Sequence, residues 1–414
     1  MKVCAVICEL NPFTLGHEYL FRTARSLTGA DYIIALMSGD FVQRGLPAVC
    51  DKYTRCEAAL KGGADLVMEL PTIYATASAD YFAYGSVTLL DSLGCVDFLC
   101  FGSESGDLKL LKGCMGKSSE AEQGIHILSQ GIRAEEAVTN KISQLLKEGV
   151  SYAKAYAEVT GNVYASNDML AMRYIKSLDM RYSHIAPVAV IRKGAGYTDE
   201  SLSSNSAAAI RKRIFNGEDY AHLMPGYAYK LLKEKEGLTF PLSADDFSRQ
   251  LYGIIDFLCE NEGRLDCRLL DYMDVSKNIE GRIKSLVGDF TGFCDFAARV
   301  HSKEYTKSRI YRALTHILLG IRKEHYPEDI SECEAYYGRI LGFKKGSEEL
   351  LGCIKERSVI PIISKAADAG KILDDEAMGI FDIDVHAGEM YDKMCVFKYA
   401  KSPVAEYANR LVIV

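Results

Sequence analysis

No apolar run in these 414 residues approaches the ~20 that a membrane-spanning helix needs, so the sequence predicts no membrane contact of that kind. The start has one early lysine, Lys2, but no small-residue cleavage site behind the first apolar run, so no secretory leader is expected. Positive charge is not in excess. The formal net charge of −7 excludes a uniformly basic nucleic-acid coat and leaves room only for a local basic patch. Internal repeats and low-complexity segments are missing too. Cysteine is plentiful, but the thirteen are odd in number and scattered, and Cys4, Cys8, Cys95 and Cys100 lie inside apolar strand patterns. No second Cys/His pair is spaced to complete a zinc site with Cys4 and Cys8. Buried free thiols in a reducing cytoplasm are the expected state.

Against these absences stands a chain with 48% hydrophobic residues, long enough for two or three domains and a large core. Short apolar, partly β-branched runs at 3–7, 32–37, 64–70, 96–101 and 187–191 read as buried strands. Helical patterns separate them, one ending at Leu60 and one covering about 77–93. Strands alternating with helices at this spacing predict an α/β fold, a parallel sheet covered on both faces. Ligands of such sheets sit at the carboxyl ends of the strands. The stretch 121–178 carries helical patterns and no strand, which predicts an inserted helical lobe over the site. After Tyr220 the patterns are helical, at 245–258, 281–287, 307–321 and 348–351. The expected division is an N-terminal Rossmann-like domain, 1–220, and a mainly helical domain, 221–414, with Gly and Pro marking the passage near 237–242. Two β-prone stretches, 394–399 and 410–414, close the chain.

The stretch CAVICELNPFTLGHEYLFRTARSL, residues 4–27, concentrates the chemistry. Its first strand must stop at Pro12, which cannot donate to a ladder, and Gly16 permits close backbone approach. Leu20, Ala24 and Leu27 then recur at helical spacing. A strand, a tight turn and a helix start aim free N–H groups and a helix dipole at whatever sits above the strand, and an anion fits there. Thr14-Leu15-Gly16-His17 fits the [HT]-x-G-H signature of the nucleotidyltransferase superfamily. His17 at the helix start can donate to phosphate oxygens as charge develops, Thr14 can do so through its hydroxyl, and Gly16 lets a nucleotide press on the backbone. An ordinary helix-entry turn would also fit these four residues; their position after the first strand favours the nucleotide reading.

Further stretches occur in a characteristic order: ELNPFTLGH, MSGDFVQRGLPAVCDKYTRCEAAL, GADLVMELP, FGSESGD, SNDMLAMRYIKSL, IRKGAGYTD and SAAAIR. Together they resemble the tRNA(Met) cytidine acetate ligase family, strongly from Met1 to about Arg213 and more weakly to the C-terminus. The resemblance implies that ATP and acetate form acetyl-adenylate, and that the acetyl group passes to N4 of the wobble cytidine of elongator tRNA(Met), with magnesium expected alongside ATP. It places the nucleotide on Ile7, Cys8, Glu9, Leu10, Asn11, Pro12, Phe13, Thr14, Leu15, Gly16, His17, Glu18, Tyr19 and Leu20, then on Gly102, Asn167, Arg192 and Lys193. His17 and Thr14 are its catalytic pair. The chain departs from the family's usual residues at Leu10 (Tyr), at Thr14-Leu15 (His-Asn) and at Ala208 (Thr).

Several residues keep two readings at this stage. Asn167 starts a helix and suits either an N-cap or a nucleotide contact. Arg192 leaves the fifth strand at its carboxyl end, where its fork suits phosphate or carboxylate. Arg44 suits acetate, a tRNA phosphate, or a surface ion pair with Asp40. Glu69 ends an apolar strand, and as a buried carboxylate it needs a partner that the sequence does not name. On a helix from Lys307, the residues Arg309, Arg312, His316 and Lys323 fall opposite an apolar face, with Tyr305 and Tyr311 nearby and Arg299, Lys303, Lys344 and Lys345 extending the patch. This stripe is the expected RNA contact. A small-molecule adenylyltransferase unrelated to RNA, and a catalytically degenerate nucleotide- and RNA-binding protein, remain as alternative functions.

Overall fold

The computed structural model describes residues 1–112, 166–192 and 206–414. Most of the expected helical lobe, and Lys193, therefore lie outside the described residues.

Five parallel strands form the centre: β1 (Val3–Cys8), β2 (Tyr32–Ser38), β5 (Leu66–Leu70), β6 (Phe98–Ser103) and β7 (Ala186–Ile191). Their spatial order, β5-β2-β1-β6-β7, reverses direction at β1, which makes the carboxyl ends of β1 and β6 the switch point of a doubly wound sheet. A two-stranded hairpin, β3 (Phe41–Val42) with β4 (Leu46–Pro47), stands between β2 and the next helix. Successive residues face opposite sides of the sheet. Val3 and Ala5 enter one core with Ile34, Leu36, Leu66 and Met68, while Cys4 and Val6 enter the other with Ile33, Ala35 and Val67. Both faces are dry, and that is why these strands read as continuous apolar runs.

The helices are α1 (Leu15–Thr28), α2 (Lys52–Lys61), α3 (Thr72–Ala75), α4 (Ala79–Ser92), α5 (Ser166–Met180), α6 (Ala207–Asn216) and α7 (Gly226–Glu234). The later part of the chain adds α8 (Ser248–Glu260), α9 (Lys277–Leu286), α10 (Phe293–Val300), α11 (Lys307–Leu319), α12 (Glu348–Arg357), α13 (Ala369–Ile372) and α14 (Asp375–Tyr399). It also returns to the sheet. β8 (Gly338–Phe343) pairs antiparallel with β5, and β9 (Ile362–Ile363) and β10 (Val412–Ile413) pair with β8.

One core crosses the expected division at 220/221, running from β1 and β5 through α8, α10, α11 and α14. One expectation changes here. The stretch 394–399 is not β-prone structure but the end of the 25-residue helix α14. β8 escaped the sequence reading because Gly338 and Gly342 interrupt its apolar pattern. Both are forced by packing: a Cβ on Gly338 would stand 2.7 Å from Met68 Cε, and one on Gly342 would stand 2.4 Å from the Val412 carbonyl.

Candidate active site

A cleft of about 570 Å³ opens over the carboxyl ends of β1, β6 and β7. Among the described residues five helices bring residues of their first turn to it: α1 through Leu15 to His17, α4 through Ala79, α5 through Ser166 and Asn167, α6 through Ala207 and Ala208, and α11 through Ser308. Their dipoles converge on one space, so negative charge is stabilised there.

Thr14 is the N-cap of α1, and a reciprocal cap ties it to His17. The Thr14 backbone N–H donates to His17 Nδ1 at 3.1 Å, and His17 N–H donates to Thr14 Oγ1 at 3.3 Å. An N–H can only donate, so Nδ1 is the unprotonated nitrogen and the neutral ring carries its proton on Nε2. Burial, aided by the nearby Arg192 guanidinium, lowers the His17 pKa to about 3. The ring is therefore a neutral Nε2–H donor at the floor of the cleft throughout the physiological range.

The turn before it is held from beneath. Asn11 Oδ1 accepts from Val49 N–H at 2.8 Å, and Arg211 Nη1 donates to the Asn11 carbonyl at 2.5 Å. Arg55, fully buried, donates to the Glu9 carbonyl at 2.8 Å and to the Ser38 carbonyl at 2.9 Å. Glu9 Oε1 accepts from Gln43 N–H at 3.1 Å.

Of the residues carried over from the resemblance, Ile7, Cys8, Glu9, Leu10, Asn11, Thr14, Leu15, Gly16, His17, Tyr19, Leu20, Gly102, Asn167 and Arg192 line this one cleft. Pro12, Phe13 and Glu18 do not. Phe13 is core, packed against Phe21 and Tyr227. Glu18 turns away from the cleft to accept from Tyr227 Oη at 3.1 Å and to pair with Arg22. Asn167 is not an N-cap: its Nδ2 donates to Glu104 Oε1 at 2.5 Å, and its Oδ1 accepts from Arg192 Nη1 at 3.4 Å.

The loop reading needs correction. Arg44 lines the cleft, but Asp40 is buried, accepts from Lys52 N–H at 2.7 Å, and stands 3.8 Å from both Lys52 Nζ and Arg55 Nη2. Asp40 and Arg44 are no surface pair. Glu69 finds its partners in Lys52 at 2.8 Å and Arg339 at 3.0 Å. Both cations also hold Glu406 from the C-terminal segment, at 2.5 and 2.6 Å.

The basic stripe on α11 is largely overturned. Arg312 is buried and holds Asp274 in a fork at 2.7 and 3.1 Å. His316 is fully buried, with its ring nitrogens 3.1 Å from the carbonyls of Met273 and Thr76. Lys323 donates to the Leu270 carbonyl and Arg299 to that of Asp289. Alternating charge and apolar spacing concealed that α11 is packed on two sides.

Sequence reasoning missed Arg173, Tyr174, Phe82, Arg211 and Ser308 as cleft residues. A signal existed for Arg211: it is four residues after Ala207, on the face of α6 that starts at the cleft. Ser308 comes from α11, so the helical half closes one side of the site.

A parallel sheet switching direction at β1, with a Thr-x-Gly-His cap at the switch point, defines a nucleotidyltransferase. The family model "HIGH Nucleotidyl Transferase" matches residues 1–405. The tRNA(Met) cytidine acetate ligase of Clostridium perfringens is 35% identical over 405 residues, covering 94% of this chain and 95% of that protein. That of a Thermoanaerobacter species is 37% identical over 406 residues with the same coverage. The crystal structure of Thermotoga maritima TmcAL bound with alpha-thio ATP superposes with a TM-score of 0.81 at 27% identity, over 100% of both chains. The chain belongs to the tRNA(Met) cytidine acetate ligase family.

Proposed function

We propose that this chain is an ATP-dependent carbon–nitrogen ligase that makes acetyl-adenylate from acetate and ATP and passes the acetyl group to N4 of the wobble cytidine of elongator tRNA(Met). The observation that carries this reading is the neutral, capped His17 at the floor of a cleft on which five helix N-termini converge. ATP lies along the turn of residues 7–20 with Gly102, Asn167 and Arg192, and Lys193 follows Arg192 in the chain. An acetate oxygen attacks the α-phosphorus and pyrophosphate leaves. His17 Nε2–H donates to an α-phosphate oxygen as charge grows there, and the fixed tautomer means no reorganisation is needed at that moment. The N4 amine then attacks the acetyl carbonyl, AMP leaves, and the amine loses its proton.

Among the described residues no group of three His, Cys, Asp or Glu could hold a metal ion, and the carboxylate in the described cleft lining is Glu9. Magnesium would therefore be held chiefly by the phosphates of ATP. Among the described residues no helix is long and apolar enough to cross a membrane. A cytoplasmic enzyme, with 1–220 carrying ATP and 221–414 facing tRNA, completes the proposal. The test is incubation of protein, ATP, magnesium and labelled acetate with and without elongator tRNA(Met). Label in the tRNA, and acetate-dependent pyrophosphate exchange without it, are expected. Acetyl-adenylate is the small-molecule product expected without RNA; stable label transfer to any other small-molecule acceptor, with none to tRNA, would overturn the assignment.

A further inference from the structure

Two residues of the tripeptide Gly102-Ser103-Glu104, at the carboxyl end of β6, act on one side chain, Arg192. Gly102 pairs in register with Val190 on β7, two residues before Arg192. A Cβ on Gly102 would stand 3.2 Å from Arg192 Cγ, so the glycine leaves the room in which the arginine stem lies along the strand end. Glu104 acts through Asn167. Its Oε1 accepts from Asn167 Nδ2 at 2.5 Å, and its Oε2 accepts from Asp168 N–H at 3.0 Å. With Nδ2 committed to a carboxylate, the Asn167 amide has one orientation, and its Oδ1 faces Arg192 Nη1 at 3.4 Å. Asp168 clamps the same junction from the other side, accepting from the Ser103 hydroxyl, from Glu104 N–H at 3.0 Å and from Ser105 N–H at 3.2 Å. The start of α5 is thus fixed to the end of β6. Glu104 is absent from the cleft lining, whereas Asn167 and Arg192 are in it.

We propose that Glu104 is a positioning residue of the nucleotide site: by fixing the Asn167 amide, it holds the Arg192 guanidinium over the cleft for the phosphates of ATP. This rests on the assignment of Arg192 to ATP made above. The chemistry is a polarity relay in which carboxylate, amide and guanidinium each have a single way to hydrogen-bond the next. Replacing Glu104 by glutamine keeps the shape but supplies one acceptor and one donor where two acceptors are needed. The amide at 167 then turns its NH2 toward Arg192, and the guanidinium loses its acceptor.

Glu104→Gln is expected to raise the ATP dissociation constant and KM about tenfold, as loss of one charge-assisted hydrogen bond does, with kcat of acetate-dependent pyrophosphate exchange within about twofold. A loosened structure would instead lower kcat and the melting temperature together. The decisive variant is the pair Glu104→Gln with Asn167→Asp. The glutamine NH2 donates to the new carboxylate, its carbonyl accepts from Asp168 N–H, and the second carboxylate oxygen takes Arg192. ATP affinity should return to within about threefold of wild type, while Asn167→Asp alone, with two carboxylates facing, stays impaired. Arg192→Ala is measured alongside. If it weakens ATP while Glu104→Gln does not, or if the pair fails to recover, the relay is overturned and the nucleotide assignment stands. Wild-type ATP binding in Arg192→Ala overturns both.

Discussion

Replacing His17 by alanine removes the acceptor of the Thr14 N–H and the Nε2–H donor that faces the cleft. Acetyl-adenylate formation should fall about a hundredfold or more, the usual cost of losing a donor aimed at developing charge. Pyrophosphate exchange measures it, and wild-type exchange would show that the turn has no chemical role. The lowered pKa adds a pH signature. Because the folded ring takes up its proton only near pH 3, while the unfolded ring does so near 6.5, the native state binds fewer protons between those values. The stability that the neutral ring contributes is full above about 6.5 and is lost as pH falls through the folded value. The rate profile should correspondingly show no acid limb from His17 between about pH 5 and 8. A limb near 6.5 that disappears in His17→Gln would contradict the half-buried, neutral ring.

At the scale of elements, α11 makes the sharpest prediction. Arg312→Ala leaves Asp274 as a buried carboxylate short of its forked partner and should cost about 3–5 kcal/mol in denaturant unfolding. Arg309, half-exposed and lying over the Tyr305 ring at 4.8 Å, should cost about 1 kcal/mol or less when truncated. Equal losses from the two would mean that the fork is not formed. This helix also shows what the sequence hides. The strands β1, β2, β5, β6 and β7 and the strand–turn–helix at Thr14 were legible because each is a local pattern with its own start and stop. The burial of Arg312 was not, since its reason is Asp274, a residue in the left-handed region with φ of 64° in a distant loop. Helix α14 was equally opaque. Gly388 reads as a helix breaker, yet a Cβ there would stand 3.0 Å from the Glu406 carboxylate, so the glycine makes room for a charge from the C-terminal segment. Neither contact is encoded in any window a periodicity can see.

Across the whole molecule, the buried set of Lys52, Arg339, Glu69, Glu406 and Asp40 joins the cleft loops to β8 and to the C-terminal segment. Lys52 and Arg339 more than offset the burial of Glu406 and hold its pKa at about 2. Burial outweighs the same kind of attraction at Asp40, which is pushed up to about 7. Folded Asp40 therefore binds a proton that unfolded Asp40 has already lost, so its contribution is full below pH 3.8 and is lost as pH rises through 7. His17 and other carboxylates titrate in the same window, so the Asp40 share is read as a difference: the urea midpoint of wild type relative to Asp40→Asn should fall as pH rises from 4 to 8, and a pH-independent difference would place the titrating group elsewhere. The sheet itself has a further consequence, for synthesis rather than for catalysis. The edge of β5 has its native neighbour only when β8 arrives, and Glu69 meets Arg339 only then. On the ribosome the nucleotide-binding strands must wait, with one edge open, for most of the polypeptide to emerge. A nascent chain stalled before residue 338 should engage chaperones or aggregate, and one from which β8 and Glu406 have emerged should not.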